Sequence, residues 1–131
     1  SDLPSQREWG LASRQMLHFV DRLKRLPVNV IVTCLERTTK DEFTGAIHSA
    51  PELPGQLSDK VPVHFDVVGR LTMAWPKGLD NDPVRVLFVQ PHGKFIAKTR
   101  LDLPSQLVNP TMAEIYQGLK NTNANTEDPD A

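Results

Sequence analysis

The chain has 131 residues, of which 39% are hydrophobic and 24% are charged, and its formal net charge at pH 7 is −1. This composition indicates one small globular domain, and it excludes a uniformly basic nucleic-acid-binding protein and an intrinsically disordered one. The single cysteine, Cys34, excludes a disulfide framework and favours a reducing compartment. No apolar run approaches the roughly 20 residues of a membrane-spanning helix, so we expect no membrane partner.

The first predicted element is a helix that begins after Ser5 and ends before Pro27. Ser5 and Glu8 have the spacing of a capping box, in which each side chain accepts a hydrogen bond from the backbone N–H of the other. Between these limits apolar residues recur at helical spacing: Trp9, Ala12, Met16, Phe19, Val20, Leu23 and Leu26. We expect this stripe to be buried, with Trp9 as a core anchor.

Residues 28–35 predict a strand that is covered on both faces, because the run is short, β-branched and almost continuously apolar. Cys34 should pack inside it as a small hydrophobic residue. A helix joined by a short turn to such a strand is half of a βαβ unit, and the parallel partner strand would lie before Ser1. We therefore expect a truncated piece that does not persist as a compact monomer, since a lone parallel strand leaves its edge unpaired.

The rest of the chain predicts a loop, a ribbon and a short helix. Residues 36–60 are polar and punctuated by proline and glycine, which is typical of a long functional loop. Three strands separated by turn-rich segments indicate an antiparallel ribbon, at residues 67–75, 84–90 and 95–100, with Trp75 as a second core anchor. A helix opens at Asn109-Pro110-Thr111 and runs to about residue 119, and residues 121–131 predict a disordered tail.

Several segments occur in an order that resembles a known family. They are a Trp-Gly helix ending in Arg-Leu-Pro-Val-Asn-Val-Ile-Val-Thr, then Pro-Glu-Leu-Pro-Gly, His-Phe-Asp-Val-Val-Gly-Arg-Leu, Phe-Ile-Ala-Lys-Thr-Arg and Leu-Pro-Ser-Gln-Leu-Val-Asn-Pro-Thr. Over residues 5–119 this series is similar to the C-terminal part of phage and prophage RecA-like nucleotide-binding ATPases of the AAA domain type. Those proteins act with the machinery of single-strand annealing, DNA recombination or replication.

The resemblance implies an α/β fold that is part of a RecA-like P-loop NTPase core. Its parts would be a helix, a central strand, an antiparallel ribbon and a short C-terminal helix. Residues 1–120 would form the C-terminal half of the ATPase domain, and the tail would occupy residues 121–131. The implied setting is the cytoplasm of a bacterial host cell.

Two segments that an ATPase of this type requires are absent from the sequence. The Walker A loop, G-x-x-x-x-G-K-[ST], cradles the phosphates, and none of the seven glycines begins such a match. The Walker B aspartate, which holds Mg²⁺, precedes the Trp-Gly helix in the family and is missing as well. We therefore expect the chain to be inactive alone, with ATP and Mg²⁺ bound in the intact oligomer and neither bound to this chain by itself.

Lys98 and Arg100 are the first candidate site residues, since strand alternation places them on one face with Thr99 opposite. The resemblance implies that they contact the γ-phosphate of ATP in a neighbouring subunit; the alternative is an ordinary solvated strand end. The resemblance also implies that Thr33 and Glu36 lie near the γ-phosphate at a strand tip. Their alternative is a strand-end threonine and a surface glutamate.

The resemblance further implies that the polar loop meets single-stranded DNA. Its candidate residues are cationic or aromatic: Arg37, Lys40, Phe43 and Lys60. The alternative is a mobile surface loop, because acidic residues nearly cancel the basic ones. The partner would be a second copy or a full-length ATPase subunit, and an alternative function is a non-catalytic module that binds a partner protein. The four histidines have no ligand spacing with Cys34, so no metal site is predicted.

Overall fold

The computed structural model describes residues 3–77 and 82–126, and the chain divides into two compact units, Ser1–Phe65 and Asp66–Ala131. Helices and small sheets occur together, so the predicted mixed α/β class is confirmed. Every strand pairing within the described ranges is antiparallel, so the central parallel strand of the predicted RecA-like core is not formed. Over the same ranges, no helix combines the length and the apolar content that crossing a bilayer requires.

The first unit opens with helix α1, Gln6–Lys24, which confirms the predicted element. Ser5 N–H donates to Glu8 Oε2 over 2.5 Å, and Glu8 N–H donates to Ser5 Oγ over 3.3 Å. The backbone hydrogen bond from Ser5, followed by the one with its side chain, lowers the pKa of Glu8 from its ordinary value. The helix ends at Arg25, which satisfies the last carbonyls two residues before Pro27.

Removal of the Ser5 side chain that caps α1 is expected to lower the stability of the protein. Ser5→Ala leaves the first helical N–H groups without their acceptor, which lowers the free energy of unfolding by about 1 kcal/mol, whereas Ser5→Gly costs a few tenths. Because the folded pKa of Glu8 is lowered, its contribution is present above pH 4.5, the ordinary value, and is lost as the pH falls through the folded value. Urea unfolding, followed by far-UV circular dichroism at neutral and acid pH, measures the cost of removing the cap and its pH dependence. A urea midpoint of Ser5→Ala equal to that of the unchanged protein contradicts the role of the cap.

Residues 28–35 do not form the predicted strand. Residues 29–35 lie outside any helix or strand; Val30 is half-buried, whereas Ile31, Val32 and Leu35 are exposed, Leu35 to 75%. Cys34 is exposed as well, which contradicts the prediction that it is packed. A strand is held by a series of backbone hydrogen bonds to a neighbouring strand. The described residues form no strand pairing with this segment, and Glu52 N–H donates to Leu35 O over 2.7 Å only at its C-terminal end.

The predicted long loop at residues 36–60 is wrong, because it contains a hairpin and a short helix. Strand β1, Glu36–Lys40, pairs antiparallel with β2, Ile47–Pro51. Asp41 Oδ1 closes the turn by accepting from the N–H groups of Phe43 and Thr44, at 2.8 and 3.2 Å. Gly45 follows at φ 71°, a left-handed conformation that glycine adopts without steric cost.

The core of the first unit lies between α1 and helix α2, Leu57–Lys60, which is followed by a 3₁₀ turn at Pro62–His64. Val20 from α1 packs against Leu57 and Val61, with partly buried apolar neighbours at Leu17, Leu53 and Phe65. Trp9 is not part of this core and remains 47% exposed, and Trp75 in the second unit is exposed too. Both core-anchor predictions are therefore wrong.

The described residues of the second unit form five strands in two sheets: β3, Val67–Val68; β4, Arg70–Ala74; β5, Val84–Phe88; β6, Lys98–Thr99; and β7, Gln106–Val108. The larger sheet has the order β4-β5-β7, and β3 pairs with β6 separately. The predicted strands at 67–75 and 84–90 are confirmed in their central parts. The predicted ribbon is wrong in one pairing, because β7 and not the 95–100 segment lies beside β5.

Gly69 separates β3 from β4 and permits a close approach to β5. A Cβ atom at this position would lie 2.5 Å from Cδ1 of Leu87. The chain therefore passes from the β3–β6 sheet to the β4-β5-β7 sheet at Gly69, because glycine has no side chain that would collide with Leu87.

Helix α3, Met112–Thr126, closes the unit by packing on the segment at residues 101–103. Asp102 N–H donates to Thr122 Oγ1 over 2.7 Å, and this hydroxyl donates to Gly118 O over 2.8 Å. The helix runs past the predicted end at residue 119, and residues 121–126, which were predicted to be disordered, are helical. Residues 127–131 of that predicted tail lie outside the described residues.

Gly118→Ala is expected to destabilise the protein, although alanine normally stabilises a helix interior by about 1 kcal/mol relative to glycine. A Cβ at Gly118 would lie 2.9 Å from Asp102 O and 2.5 Å from Leu103 Cδ2, and this overpacking should cost about 1–3 kcal/mol. The matched control is Gly10→Ala in α1, where a Cβ meets no described atom within 4 Å and stability should rise. Urea denaturation of both variants checks the opposite signs; a stabilised Gly118→Ala variant contradicts the contact.

Candidate functional site

Lys98 and Arg100 lie at the end of the β3–β6 ladder. Val68 pairs with Lys98 and Val67 with Thr99, and Arg100 N–H continues the ladder by donating to Asp66 O over 2.8 Å. Lys98 is half-buried in the two-residue strand Lys98–Thr99, and Arg100 follows this strand and is exposed. Residues two apart in an extended chain lie on the same side, so we expect both cations on one side of this small sheet. Thr99 is opposite, where its hydroxyl accepts from Leu101 N–H at 2.9 Å. The strand that carries Lys98 is thus much shorter than the predicted strand at residues 95–100.

Arg100 forms an ion pair with Asp66, and both residues are in the second unit. Arg100 Nη1 lies 3.3 Å from Asp66 Oδ1, and the two side chains are 50% and 72% exposed. An ion pair in this environment contributes little to stability, typically about 0–1 kcal/mol. The carboxylate thus orients the guanidinium while leaving it accessible to an incoming anion.

An aromatic cluster anchors the chain just before the two cations. Phe95 is buried, and it stacks on His92 with ring centroids 4.8 Å apart and lies 5.6 Å from the Phe88 ring. The Arg70 guanidinium lies 4.9 Å from the Phe95 ring centroid, at cation–π distance. Ala97 is buried as well, so the segment that leads into β6 is held by its side chains.

The β1–β2 hairpin carries most of the predicted DNA-contacting residues. Arg37 and Lys40 are exposed on β1, and Phe43 at the turn is 99% exposed. Arg37 Nη2 donates to Leu53 O over 2.9 Å, so its guanidinium also ties the hairpin to the following segment. The hairpin thus presents an uncovered aromatic ring beside cationic side chains.

The last predicted DNA contact, Lys60, lies outside the hairpin on α2. It lines a groove between α1 and α2 together with Arg14 and Gln56. The structure therefore separates the predicted DNA-contacting residues between two elements of the first unit.

The sequence was compared with models of known protein families, with curated proteins and with solved structures. The family profile described as an AAA domain matches residues 1–101. The chain belongs to the AAA domain family. No curated protein and no solved structure matches it.

Membership makes this AAA domain a nucleotide-binding, ATPase-type domain. ATP-dependent activity is what the family suggests, and ATP with Mg²⁺ in the intact protein is consistent with it. The 131 residues nevertheless contain no Walker A sequence. Over residues 3–77 and 82–126, no three histidine, cysteine, aspartate or glutamate side chains come together as metal ligands. The described residues of this AAA domain therefore do not by themselves fit the triphosphate with its Mg²⁺.

Thr33 and Glu36 do not lie at the tip of a parallel strand, where they were predicted. Thr33 is exposed in the segment without strand structure, and Glu36 is the exposed first residue of β1. The parallel strand whose tip would bring them to a phosphate is not formed. Both residues belong to the first unit of this AAA domain, whereas Lys98 and Arg100 belong to the second.

Asp66 and Phe95 are residues that the sequence reading missed. Asp66 lies in the His-Phe-Asp-Val-Val segment, and its pairing with Arg100 depends on the register of β3 and β6, which are far apart in sequence. The aromatic character of Phe95, next to a turn, was a visible signal for an anchor. Its contacts with Arg70 and His92 could be found only in three dimensions.

Proposed function

We propose that this AAA domain chain is part of a phage RecA-like ATPase that acts in DNA recombination or replication in the cytoplasm of a bacterial host cell. In this proposal Lys98 and Arg100 reach the triphosphate of ATP bound by a neighbouring subunit. The observation that carries the proposal is the exposed ion pair of Arg100 with Asp66, formed directly after the strand that contains Lys98. The family match supports the nucleotide as the ligand.

Phosphoryl transfer is accelerated by positive charge placed where negative charge develops in the transition state. An arginine can bind two phosphate oxygens at once, and a lysine adds a compact point charge. Asp66 holds the Arg100 guanidinium in one orientation, so less conformational freedom is lost when a phosphate approaches. The exposure of the ion pair allows a phosphate oxygen to take over hydrogen bonds from the carboxylate.

The neighbouring subunit supplies the other parts of the site in this proposal. Its Walker A loop would cradle the phosphates, and its Walker B aspartate would hold Mg²⁺, which neutralises the charge on the phosphates. Thr33 and Glu36 are proposed to act near the same nucleotide once their segment is paired. Such a chain has no turnover alone and works with a second copy or with a full-length ATPase subunit.

The hairpin and Lys60 are proposed as the surface for single-stranded DNA. The exposed ring of Phe43 can stack on a base, and such stacking does not depend on sequence because every base has a π face. Arg37, Lys40 and Lys60 would neutralise phosphates and release their counterions. Because this surface has only three proposed cationic contacts, one copy would bind single-stranded DNA weakly. Several copies in an oligomer would be needed to hold the DNA.

A second candidate function is a non-catalytic module that binds a partner protein. The observation that favours it is the exposed apolar segment at residues 28–35, combined with the absence of a Walker A sequence. Extended segments of this kind bind by adding a strand to an open sheet edge.

A mixing assay decides between the two functions. The chain is added to a Walker A-bearing ATPase subunit of the same family, and ATP hydrolysis is measured with and without single-stranded DNA. Stimulation that requires both Lys98 and Arg100 supports the ATPase role. Stable co-elution with no change in turnover supports the binding module and contradicts the proposal.

A further inference from the structure

Helix α1 and the chain at residues 54–60 leave a groove between them in the first unit. Two adjoining hollows of about 340 and 310 Å³ share Gly10 and Ser13 of α1 as lining residues. The groove stays open because these side chains are small or absent, and a Cβ at Gly10 would meet no described atom within 4 Å. We name it the α1–α2 groove; its lining includes Trp9, Ser13, Arg14, Pro54, Gln56 and Lys60.

The two hollows of the groove differ in chemistry. The first is lined by Trp9 and Pro54, so it is a largely apolar space beside an indole ring. Trp9 is 47% exposed, which leaves part of its surface for a flat partner. The second hollow is lined by the exposed Arg14 and Lys60, together with Gln56. The groove thus joins an aromatic surface to a pair of cations.

The positive charge of the groove is not balanced by the described residues that line it, because no aspartate or glutamate is among them. Asp59 neighbours Lys60 in sequence but is not a lining residue, and Glu8, beside Trp9, accepts from Ser5 N–H. Arg14 Nε donates to Gly10 O over 3.4 Å, a contact that does not use the two Nη groups of the guanidinium. The complementary ligand is therefore an anion with a flat apolar part.

We propose that the α1–α2 groove binds one nucleotide unit of single-stranded DNA, with the base on Trp9 and the adjoining phosphate between Arg14 and Lys60. An indole ring stacks on a base of any identity, and cations that contact a phosphate release its counterions. The inference rests on the DNA-binding part of the proposed function and deepens it. It gives Lys60 two partners, Trp9 and Arg14, that the hairpin surface does not contain.

The charge of the groove favours a phosphodiester over a free triphosphate. The triphosphate of ATP is bound together with Mg²⁺, which needs carboxylate ligands from the protein. Neither an aspartate nor a glutamate is among the described lining residues, and the described ranges form no cluster of metal ligands elsewhere. A phosphodiester of DNA carries one negative charge, which Arg14 and Lys60 can balance without a metal.

Tryptophan fluorescence of the full chain tests the stacking directly. The chain has two tryptophans, so Trp75→Phe leaves Trp9 as the only one. An oligothymidylate of roughly 12 nucleotides, titrated up to about 1 mM, covers the dissociation constants of about 10⁻⁴–10⁻⁶ M that are typical of non-specific binding. Stacking should quench the indole emission, whereas ATP at the same concentrations should not. Quenching by ATP that equals or exceeds quenching by the oligothymidylate assigns the groove to a free nucleotide and overturns the inference.

Substitutions test each contact by the anisotropy of a fluorescently labelled oligothymidylate. Trp9→Ala should raise the dissociation constant about tenfold, the loss expected for one base–aromatic stack. Arg14→Gln and Lys60→Gln should each reduce the slope of log K against log salt by about 0.7, the value for one phosphate contact on a single strand. The matched control is Arg22→Gln, because Arg22 is an exposed arginine of α1 that does not line the groove, and its slope should stay unchanged.

Two further outcomes overturn the inference, and they differ in what they leave standing. DNA binding without a change in Trp9 emission, with equal effects of Arg14→Gln and Arg22→Gln, removes the groove but keeps DNA binding by the hairpin. No DNA binding at any concentration removes the groove together with the DNA-binding part of the proposed function. The role of Lys98 and Arg100 is judged separately by ATP hydrolysis in the mixing assay, so its failure is distinguishable from failure of the groove.

Discussion

Replacement of Arg100 by alanine is expected to lower kcat for ATP in the mixed oligomer by on the order of 10³-fold, the loss that follows removal of an arginine finger. The guanidinium would stabilise charge that develops in the transition state, so kcat should fall while KM changes little. Lys98→Ala should give a smaller loss, because a point charge lacks the two-pronged contact. Steady-state hydrolysis at saturating ATP measures both variants.

The matched control for this experiment is Arg85→Ala. Arg85 is an exposed arginine on β5 of the same unit, and its removal changes the net charge equally without touching the β3–β6 ladder. Arg100→Lys should recover only part of the activity, since lysine keeps the charge but not the planar fork. Full activity of the Arg100→Ala oligomer would remove the proposed role of this side chain.

Replacement of Phe95 by alanine is expected to have the largest effect on stability. The buried ring contacts Phe88, His92 and Arg70, and truncation of such a ring typically costs 3–5 kcal/mol through lost burial and a residual cavity, so we expect about 3–4 kcal/mol. The amide protons of β4, β5 and β7 should then exchange faster, and hydrogen exchange on the full chain measures this loss.

Phe43→Ala is the matched control, because it makes the same chemical change at a phenylalanine that is 99% exposed. Its effect on the free energy of unfolding should stay within about 0.5 kcal/mol, as for surface substitutions in general. If Phe95→Ala were as mild as Phe43→Ala, the aromatic cluster would not anchor the segment that carries Lys98 and Arg100.

Local sequence signals predicted the elements whose stability is local. The Ser5–Glu8 capping box and Pro27 placed the ends of α1 within a few residues, because caps and prolines act through neighbouring backbone atoms. Strand β5 was equally visible as a short apolar run between two turns. The hairpin at Glu36–Pro51 was missed, since both of its strands are polar and its turn relies on the side chain of Asp41.

Burial was the least predictable property. The run at residues 28–35 has the composition of a buried strand, and the structure leaves it exposed without a pairing strand. Apolar composition reports which side chains favour burial, but a strand also needs a neighbour that satisfies its N–H and C=O groups. Trp9 is exposed for a related reason, because the short α2 covers one stripe of α1 and not both.

The sequence alone determined that this is an α/β chain with a capped first helix, and that no Walker A loop lies among its residues. These features follow from nearest-neighbour spacing and residue type. Tertiary structure alone decided that Asp66 pairs with Arg100, that β7 replaces the 95–100 segment beside β5, and that Trp9 and Phe19 of α1 stay exposed. Each of these features depends on contacts between segments that are far apart in the sequence. No local residue pattern predicts such contacts.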